Sequence, residues 1–268
     1  MITTNFHTHT VFCDGNNTPE EMVLTAIEKG FTALGFSGHS YFEPEKDISM
    51  SVEAQKEYIK QITELKEKYK GIIKIFCGIE QDIFSDKPVY NYEYMIGSVH
   101  NLFKDGVYVD IDLSAESAKA NIDKYYGGDF EAFAEHYFET VSNVIEITNA
   151  DIIGHIDLVS KFNEKLGYTE TERYLKAAEK AVKELVKYDR PFEINTGAMS
   201  RGAKSIPYPS PAILKIIKEN GGKIAFSSDC HNKDYLDYAF DQAVELARSA
   251  GFTEHGIITE NGIKYVSF

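Results

Sequence analysis

Six of the eight histidines, His7, His9, His39, His100, His155 and His231, stand within or just beyond the end of a short apolar run, and Glu80 and Asp229 occupy equivalent places. Neutral imidazoles and carboxylates are the donors that hold zinc, manganese or iron, and a carboxylate such as Glu80 can bridge two ions where an imidazole normally cannot. His7 and His9 are two residues apart, as are Asp229 and His231, and strand residues at that spacing project from one face. Each pair can chelate. A single buried histidine is usually a hydrogen-bonded core residue. Six imidazoles and two acids gathered at strand ends are different, because several would be desolvated or mutually repelling unless a cation offset them. The pattern predicts a multinuclear metal site.

Such residues meet only if strand ends converge. Short apolar runs alternate with longer amphipathic stretches along the whole chain, as in parallel strands joined by helical crossovers. Strands are predicted over residues 2–6, 33–37, 72–79, 94–99, 152–154, 192–194 and 223–226, and helices over 19–29, 52–69, 130–145, 170–187, 211–219 and 235–250. Thr18-Pro19-Glu20-Glu21 is the clearest helix start, with a capping hydroxyl, a proline and acids in the first turn. No Pro/Gly/Ser-rich linker, low-complexity tract or repeat interrupts the alternation, so residues 1–268 read as one α/β domain, most simply a parallel barrel whose C-terminal strand ends gather the site. The segment 101–126, containing Val107-Tyr108-Val109-Asp110-Ile111-Asp112, breaks the rhythm and reads as an excursion over those ends. His136, in a helical pattern, and His255, in a late polar turn, are set outside the centre. Asp14, in the turn Cys13-Asp14-Gly15-Asn16-Asn17, is by default an ordinary turn residue.

The 268 residues carry 42 acidic side chains against 28 Lys plus Arg, a formal net charge of -14, which disfavours a surface built for the nucleic-acid backbone. Three cysteines, Cys13, Cys77 and Cys230, are too far apart for a C-x-x-C pair, and their odd count argues against a disulfide framework. With no basic-then-apolar leader pattern at the N-terminus and no run of about 18 apolar residues, a cytoplasmic location without membrane contact is expected.

His7-Thr8-His9, His39, Gly78-Ile79-Glu80, Gly97-Ser98-Val99-His100, Gly154-His155 and Ser228-Asp229-Cys230-His231 together resemble the ordered motifs of the polymerase and histidinol phosphatase (PHP) superfamily, over nearly the whole chain. The resemblance implies a distorted seven-stranded (β/α) barrel with three divalent ions, zinc, manganese or iron. Carried over by position, the first ion would take His7, His9, Glu80 and Asp229; the second Glu80, His100 and His155; the third Asp14, His39 and His231. Asp14 gains its role only from this resemblance. The chain departs from the pattern at Gly38, where family members often carry an acid before the histidine. Cys230, by strand alternation, is expected to point away from the metals.

The implied chemistry is phosphoester hydrolysis. Ions roughly 3.5 to 4 Å apart can hold a bridging hydroxide, here by His7, His9, Glu80, His100, His155 and Asp229, while neutralising the phosphoryl oxygens. Of four arginines, Arg173, Arg190, Arg201 and Arg248, Arg201 is best placed for phosphate, because it follows the predicted strand end at Phe192-Glu193-Ile194-Asn195-Thr196-Gly197. Lys161 occupies another strand-exit loop and is a second phosphate candidate, with Lys204 in reserve. The length, Glu80-Gln81-Asp82-Ile83-Phe84 and the stretch from Asn195-Thr196-Gly197 to Pro209-Ser210-Pro211 look like the histidinol-phosphate phosphatase branch, acting on a small-molecule phosphate monoester in histidine biosynthesis. Tyr41-Phe42-Glu43 is a candidate for reading the substrate's amine and imidazole. Two alternatives are a PHP phosphoesterase acting on a nucleotide or nucleic-acid ends, and a non-catalytic metal-binding regulatory barrel.

Overall fold

The computed structural model describes residues 2–268. Its strands are β1 (Thr4–Asn5), β2 (Ala33–Phe36), β3 (Lys74–Asp82), β4 (Tyr94–Ser98), β5 (Asn101–Lys104), β6 (Val107–Asp110), β7 (Ile152–Ile153), β8 (Pro191–Asn195), β9 (Lys223–Ser227), β10 (Glu254–Thr259) and β11 (Gly262–Ser267). Seven of them form one sheet in the order β1-β2-β3-β4-β7-β8-β9, every neighbouring pair parallel. Beyond their ends the two edge strands meet through a parallel bridge between Thr8 and Cys230, with His9 N–H donating to the Cys230 carbonyl at 3.0 Å. The result is a nearly closed barrel of seven parallel strands with helices around it, as expected from the sequence.

Strand alternation sorts the side chains of β3. Ile75, Cys77 and Ile79 join the large core between the strands and the surrounding helices. Phe76 faces the barrel interior with Phe6, Ala33, Tyr94, Ile96 and Ile152, so Glu80, four residues further along the same face, stands on top of that apolar column. The interior is tightly filled. Tyr94 Oη reaches the carbonyls of Phe6 at 2.6 Å and Phe36 at 3.0 Å. A Cβ at Gly78 would lie 2.4 Å from the Tyr94 ring, so only glycine fits there.

The predicted helices appear with altered ends. The first, Pro19–Glu28, carries the full reciprocal cap: Glu21 N–H donates to Thr18 Oγ1 at 3.3 Å and Thr18 N–H to Glu21 Oε2 at 2.8 Å. The stretch predicted as 130–145 breaks at Ser142–Asn143 into Phe130–Val141 and Val144–Thr148, and the last helix begins only at Phe240, after a short 3-10 turn. Segment 101–126 is a hairpin, β5 and β6, followed by the helix Ala115–Tyr126. Its turn is the pair Asp105 and Gly106, at φ 52° and 81°, the left-handed pairing that two-residue hairpins demand. Helix Ala115–Tyr126 starts on the Ser114 side chain and stops at Gly127, at φ 63°.

A second hairpin, β10 with β11, closes the chain, and Ile258 plugs the interior cluster. His255 is therefore not in a polar turn. It lies in β10, 5% exposed, with ring centroids 5.1 Å from Phe226 and 5.7 Å from Phe268, and the alternation of that strand carries it inward. Burial pushes this imidazole down to about 4. The unfolded chain takes up a proton near pH 6.5 that the folded chain refuses until about pH 4, so His255 makes stability fall as pH drops through that window. Between pH 7.5 and 5 this amounts to about 2 kcal/mol. Urea unfolding at both pH values should show a loss smaller by about that amount in His255→Leu than in the parent chain; equal losses would contradict the assignment.

Candidate metal centre

Glu80 rises from β3 at 1% exposure, and five imidazoles close on it. His7 Nε2, His9 Nε2 and His39 Nδ1 stand 3.3, 3.6 and 2.9 Å from Oε2, while His100 Nε2 and His155 Nε2 stand 3.4 and 3.1 Å from Oε1. Asp229 completes one side, with Oδ1 3.6 Å from His7 Nε2 and 3.2 Å from His9 Nε2. Asp14 completes the other, within 3.6 Å of both His9 Nδ1 and His39 Nε2 and 3.1 Å from His231 Nε2. All nine side chains singled out as metal candidates thus meet at the C-terminal end of the barrel.

Local backbone explains how. His7 and His9 follow β1, flanking the bridged Thr8. β9 stops at Ser227, so strand alternation does not place Asp229 and His231. Asp229 instead sits at φ 45°, a left-handed turn that Asp tolerates better than most residues and that swings its carboxylate inward. Cys230 still faces away, fully buried in the helix-side core, where burial raises its thiol to about 12.

The electrostatics are those of a cluster of opposed charges. Burial favours neutral Glu80 and Asp229, but His7, His39 and His100 hold Glu80, and Arg201 and His7 hold Asp229, well below the usual carboxylate range. Burial likewise opposes charge on His7, yet Glu193, Glu80 and Asp229 raise it well above its ordinary value. His9, buried and stacked 4.1 Å from the His231 ring, is instead pushed down to about 3 by burial and by His231 and His39.

His7 Nε2, His9 Nε2, Asp14 Oδ1 and Glu80 Oε2 are all buried without a hydrogen-bond partner, facing one another. Lone pairs aimed at a common centre are what a cation satisfies and what an apolar or hydrogen-bonded core avoids. Three sets of donor atoms lie within 4.8 Å of one another: His9, Asp14, His39 and His231; His7, His9 and Asp229; His39, Glu80 and His100. The residues fit divalent metal ions.

Two carboxylates missed in the sequence support the imidazoles. Asp82, the last residue of β3, accepts from His100 N–H at 2.9 Å and pairs with His100 Nδ1 at 3.1 Å. Glu193, in β8, pairs with His7 Nδ1 at 2.5 Å. An acid inside the apolar run Phe192-Glu193-Ile194 was the available signal, because a charge buried in a strand needs a partner. At Gly38, where family members often carry an acid, a Cβ would press on Met50 Cε at 3.1 Å and Cys13 Sγ at 3.2 Å, so a side chain there requires these neighbours to shift, and that same sulfur lies 3.5 Å from His9 Nδ1.

Arg201 lies on the centre. Its Nη2 donates to Asp229 Oδ2 at 3.0 Å, its Nη1 to the Asp229 carbonyl at 3.0 Å and to His231 Nδ1 at 2.9 Å. Gly197 permits this approach, since a Cβ there would stand 2.7 Å from Asp229 Oδ2. Lys161 is tied to Asp112, 2.7 Å from its carboxylate and 2.9 Å from its carbonyl. Lys204, the reserve candidate, is 9% exposed, donating to Ser160 Oγ at 2.9 Å over the ring of Tyr208. In Tyr41-Phe42-Glu43, Phe42 packs edge-on to Tyr108 of β6 at 4.8 Å, while the Tyr41 hydroxyl bonds Glu43. His136 accepts or donates at 2.8 Å with Tyr126 on the helical flank, away from the centre. Among the described residues no helix is long and apolar enough to cross a membrane.

A histidinol-phosphatase of Bacillus subtilis is 26% identical over 262 residues, covering 89% of this chain and 97% of the relative. A Listeria monocytogenes structure described as a candidate histidinol phosphatase HisK superposes with a TM-score of 0.79 at 25% identity, over 89% of this chain and 99% of that one. The histidinol phosphate phosphatase of Lactococcus lactis, solved with zinc, L-histidinol and phosphate, shares the fold with a TM-score of 0.73 at 22% identity and 98% coverage of each chain. The model of the PHP domain matches residues 5–197, which hold most of the barrel and seven of the nine clustered positions, all but Asp229 and His231. The chain belongs to the PHP domain family.

Proposed function

We propose that this chain hydrolyses L-histidinol phosphate to L-histidinol and phosphate, with divalent metal ions held at the barrel end. The observation that carries the reading is the split environment of Glu80. One oxygen faces His7, His9 and His39, the other faces His100 and His155. A buried carboxylate so placed is suited to bridge two ions. The names of the related proteins of matching length supply the substrate.

His7, His9, Glu80 and Asp229 would hold the first ion, Glu80, His100 and His155 the second, and Asp14, His39 and His231 the third. Bound ions of zinc, manganese or iron supply Lewis acidity toward phosphoryl oxygens and a water of lowered pKa. The protein's part is orientation and charge. Glu193 and Asp82 hold the outer nitrogens of His7 and His100, leaving the inner nitrogens free to point at Glu80. Arg201 offers a guanidinium beside Asp229, where planar N–H donors match phosphate oxygens. Lys161, in an ion pair with Asp112, is the second phosphate candidate.

Removal of metal with a chelator should lower the thermal midpoint, and returning zinc or manganese at about a hundred times its dissociation constant should restore about 2.7 kcal/mol per site. In Glu80→Gln most of that recovery should vanish; a full recovery would remove Glu80 from the centre.

The substrate is tested with the metal-loaded chain on a panel of phosphate esters at equal concentration, by released phosphate. Histidinol phosphate should turn over fastest, and Arg201→Ala should cut kcat/KM by about 100-fold or more, the effect of losing one well-placed charged donor. Rapid turnover of a nucleotide with little of histidinol phosphate would reverse the assignment, and no turnover of any ester would favour a non-catalytic metal-binding barrel.

A further inference from the structure

Glu193 comes from β8, a strand that contributes none of the nine clustered donors, and is 1% exposed. Its Oε1 pairs with His7 Nδ1 at 2.5 Å and accepts the Ser227 hydroxyl at 2.5 Å. Its Oε2 accepts the backbone N–H of His155 at 2.9 Å and the side-chain amide of Asn195 at 2.9 Å. That amide also donates to Asp229 Oδ2 at 3.3 Å, and Asn195 is itself fixed by Gly197 N–H, which donates to Oδ1 at 2.8 Å.

One carboxylate therefore connects three members of the centre that arrive from three other strands: His7 after β1, His155 after β7 and Asp229 after β9. With a carboxylate as acceptor, the proton of neutral His7 sits on Nδ1, which leaves the Nε2 lone pair facing Glu80 and Asp229. Asp14, His39 and His231 make no hydrogen bond to Glu193 or to Asn195.

We propose that Glu193 is a positioning residue that sets the His7 tautomer and the spacing of His7, His155 and Asp229, so that the first and second ions depend on it and the third does not. This rests on the metal-centre reading above but not on the identity of the substrate. Glutamine has the same shape but turns one acceptor into a donor. Its amide nitrogen must then face either His7 Nδ1 or the pair of donors from His155 and Asn195, and either choice breaks part of the arrangement.

The test is equilibrium dialysis of the full chain against manganese, with bound metal counted by elemental analysis, for the parent chain and Glu193→Gln, alongside thermal midpoints and steady-state kinetics. The parent is expected to hold three ions where the variant holds one, with about 10- to 100-fold weaker binding of the other two. kcat at subsaturating manganese should fall by a similar factor and recover in part with excess metal, which a purely structural defect would not do.

Retention of all three ions at parental affinity would overturn the proposal whatever the thermal midpoint, as would equal weakening of all three. If Glu193→Gln does not fold, Ser227→Ala removes one donor from the same oxygen and should weaken the same two ions to a smaller extent; unchanged binding there overturns it as well. A parent chain that binds three ions but leaves histidinol phosphate intact would refute the substrate alone, because the metal count still decides the role of Glu193.

Discussion

The rest of the structure is arranged around one buried carboxylate. Glu80 is nearly inaccessible to water and is surrounded by five imidazoles, an arrangement that hydrophobic packing cannot stabilise. It stands at the top of an apolar column set by the alternation of β3, with Phe76 and the Gly78–Tyr94 contact beneath it. The barrel interior thus serves as a rigid floor. Its tight filling fixes the height of Glu80, and every other donor is placed relative to that height.

Charge balance follows from this constraint. Two more carboxylates, Asp14 and Asp229, stand on opposite sides of the imidazoles, and each is held well below the usual carboxylate range against its burial, Asp14 by its hydrogen bond to His231 and by His39, Asp229 by Arg201 and His7. Four buried polar atoms of the cluster, His7 Nε2, His9 Nε2, Asp14 Oδ1 and Glu80 Oε2, have no hydrogen-bond partner. The outward nitrogens are treated differently. Glu193 and Asp82 occupy those of His7 and His100, and the Cys13 sulfur lies beside that of His9. For His7 and His100 the outer nitrogen is thus paired with a carboxylate while the inner one faces Glu80, the division expected of a site built to hold cations.

Much of this was legible in the sequence because metal donors are chemically conspicuous. Histidines at the ends of apolar runs, together with the topology of a parallel barrel, sufficed to bring His7, His39, Glu80, His100 and His155 to one face. Asp14 was not legible from residue physics, because a turn aspartate after a cysteine looks like any other, and its place came from family resemblance. The reason given for Asp229 was incomplete, since a left-handed residue and not strand alternation turns it inward. Glu193 and Asp82 are not legible in the same way, because they pair with the outer nitrogens of candidate donors and are not candidate donors themselves. The strand holding His255 is masked by surrounding polar residues, and its one local signal is Asn261-Gly262, the turn of the terminal hairpin.

The most direct test is diffraction from metal-loaded crystals, with anomalous scattering recorded on both sides of the metal absorption edge. Separate anomalous peaks are expected within the ring of nine side chains, two of them beside the oxygens of Glu80. Peaks outside that ring, or a fully loaded centre in which Glu80 contacts no ion, would contradict this arrangement.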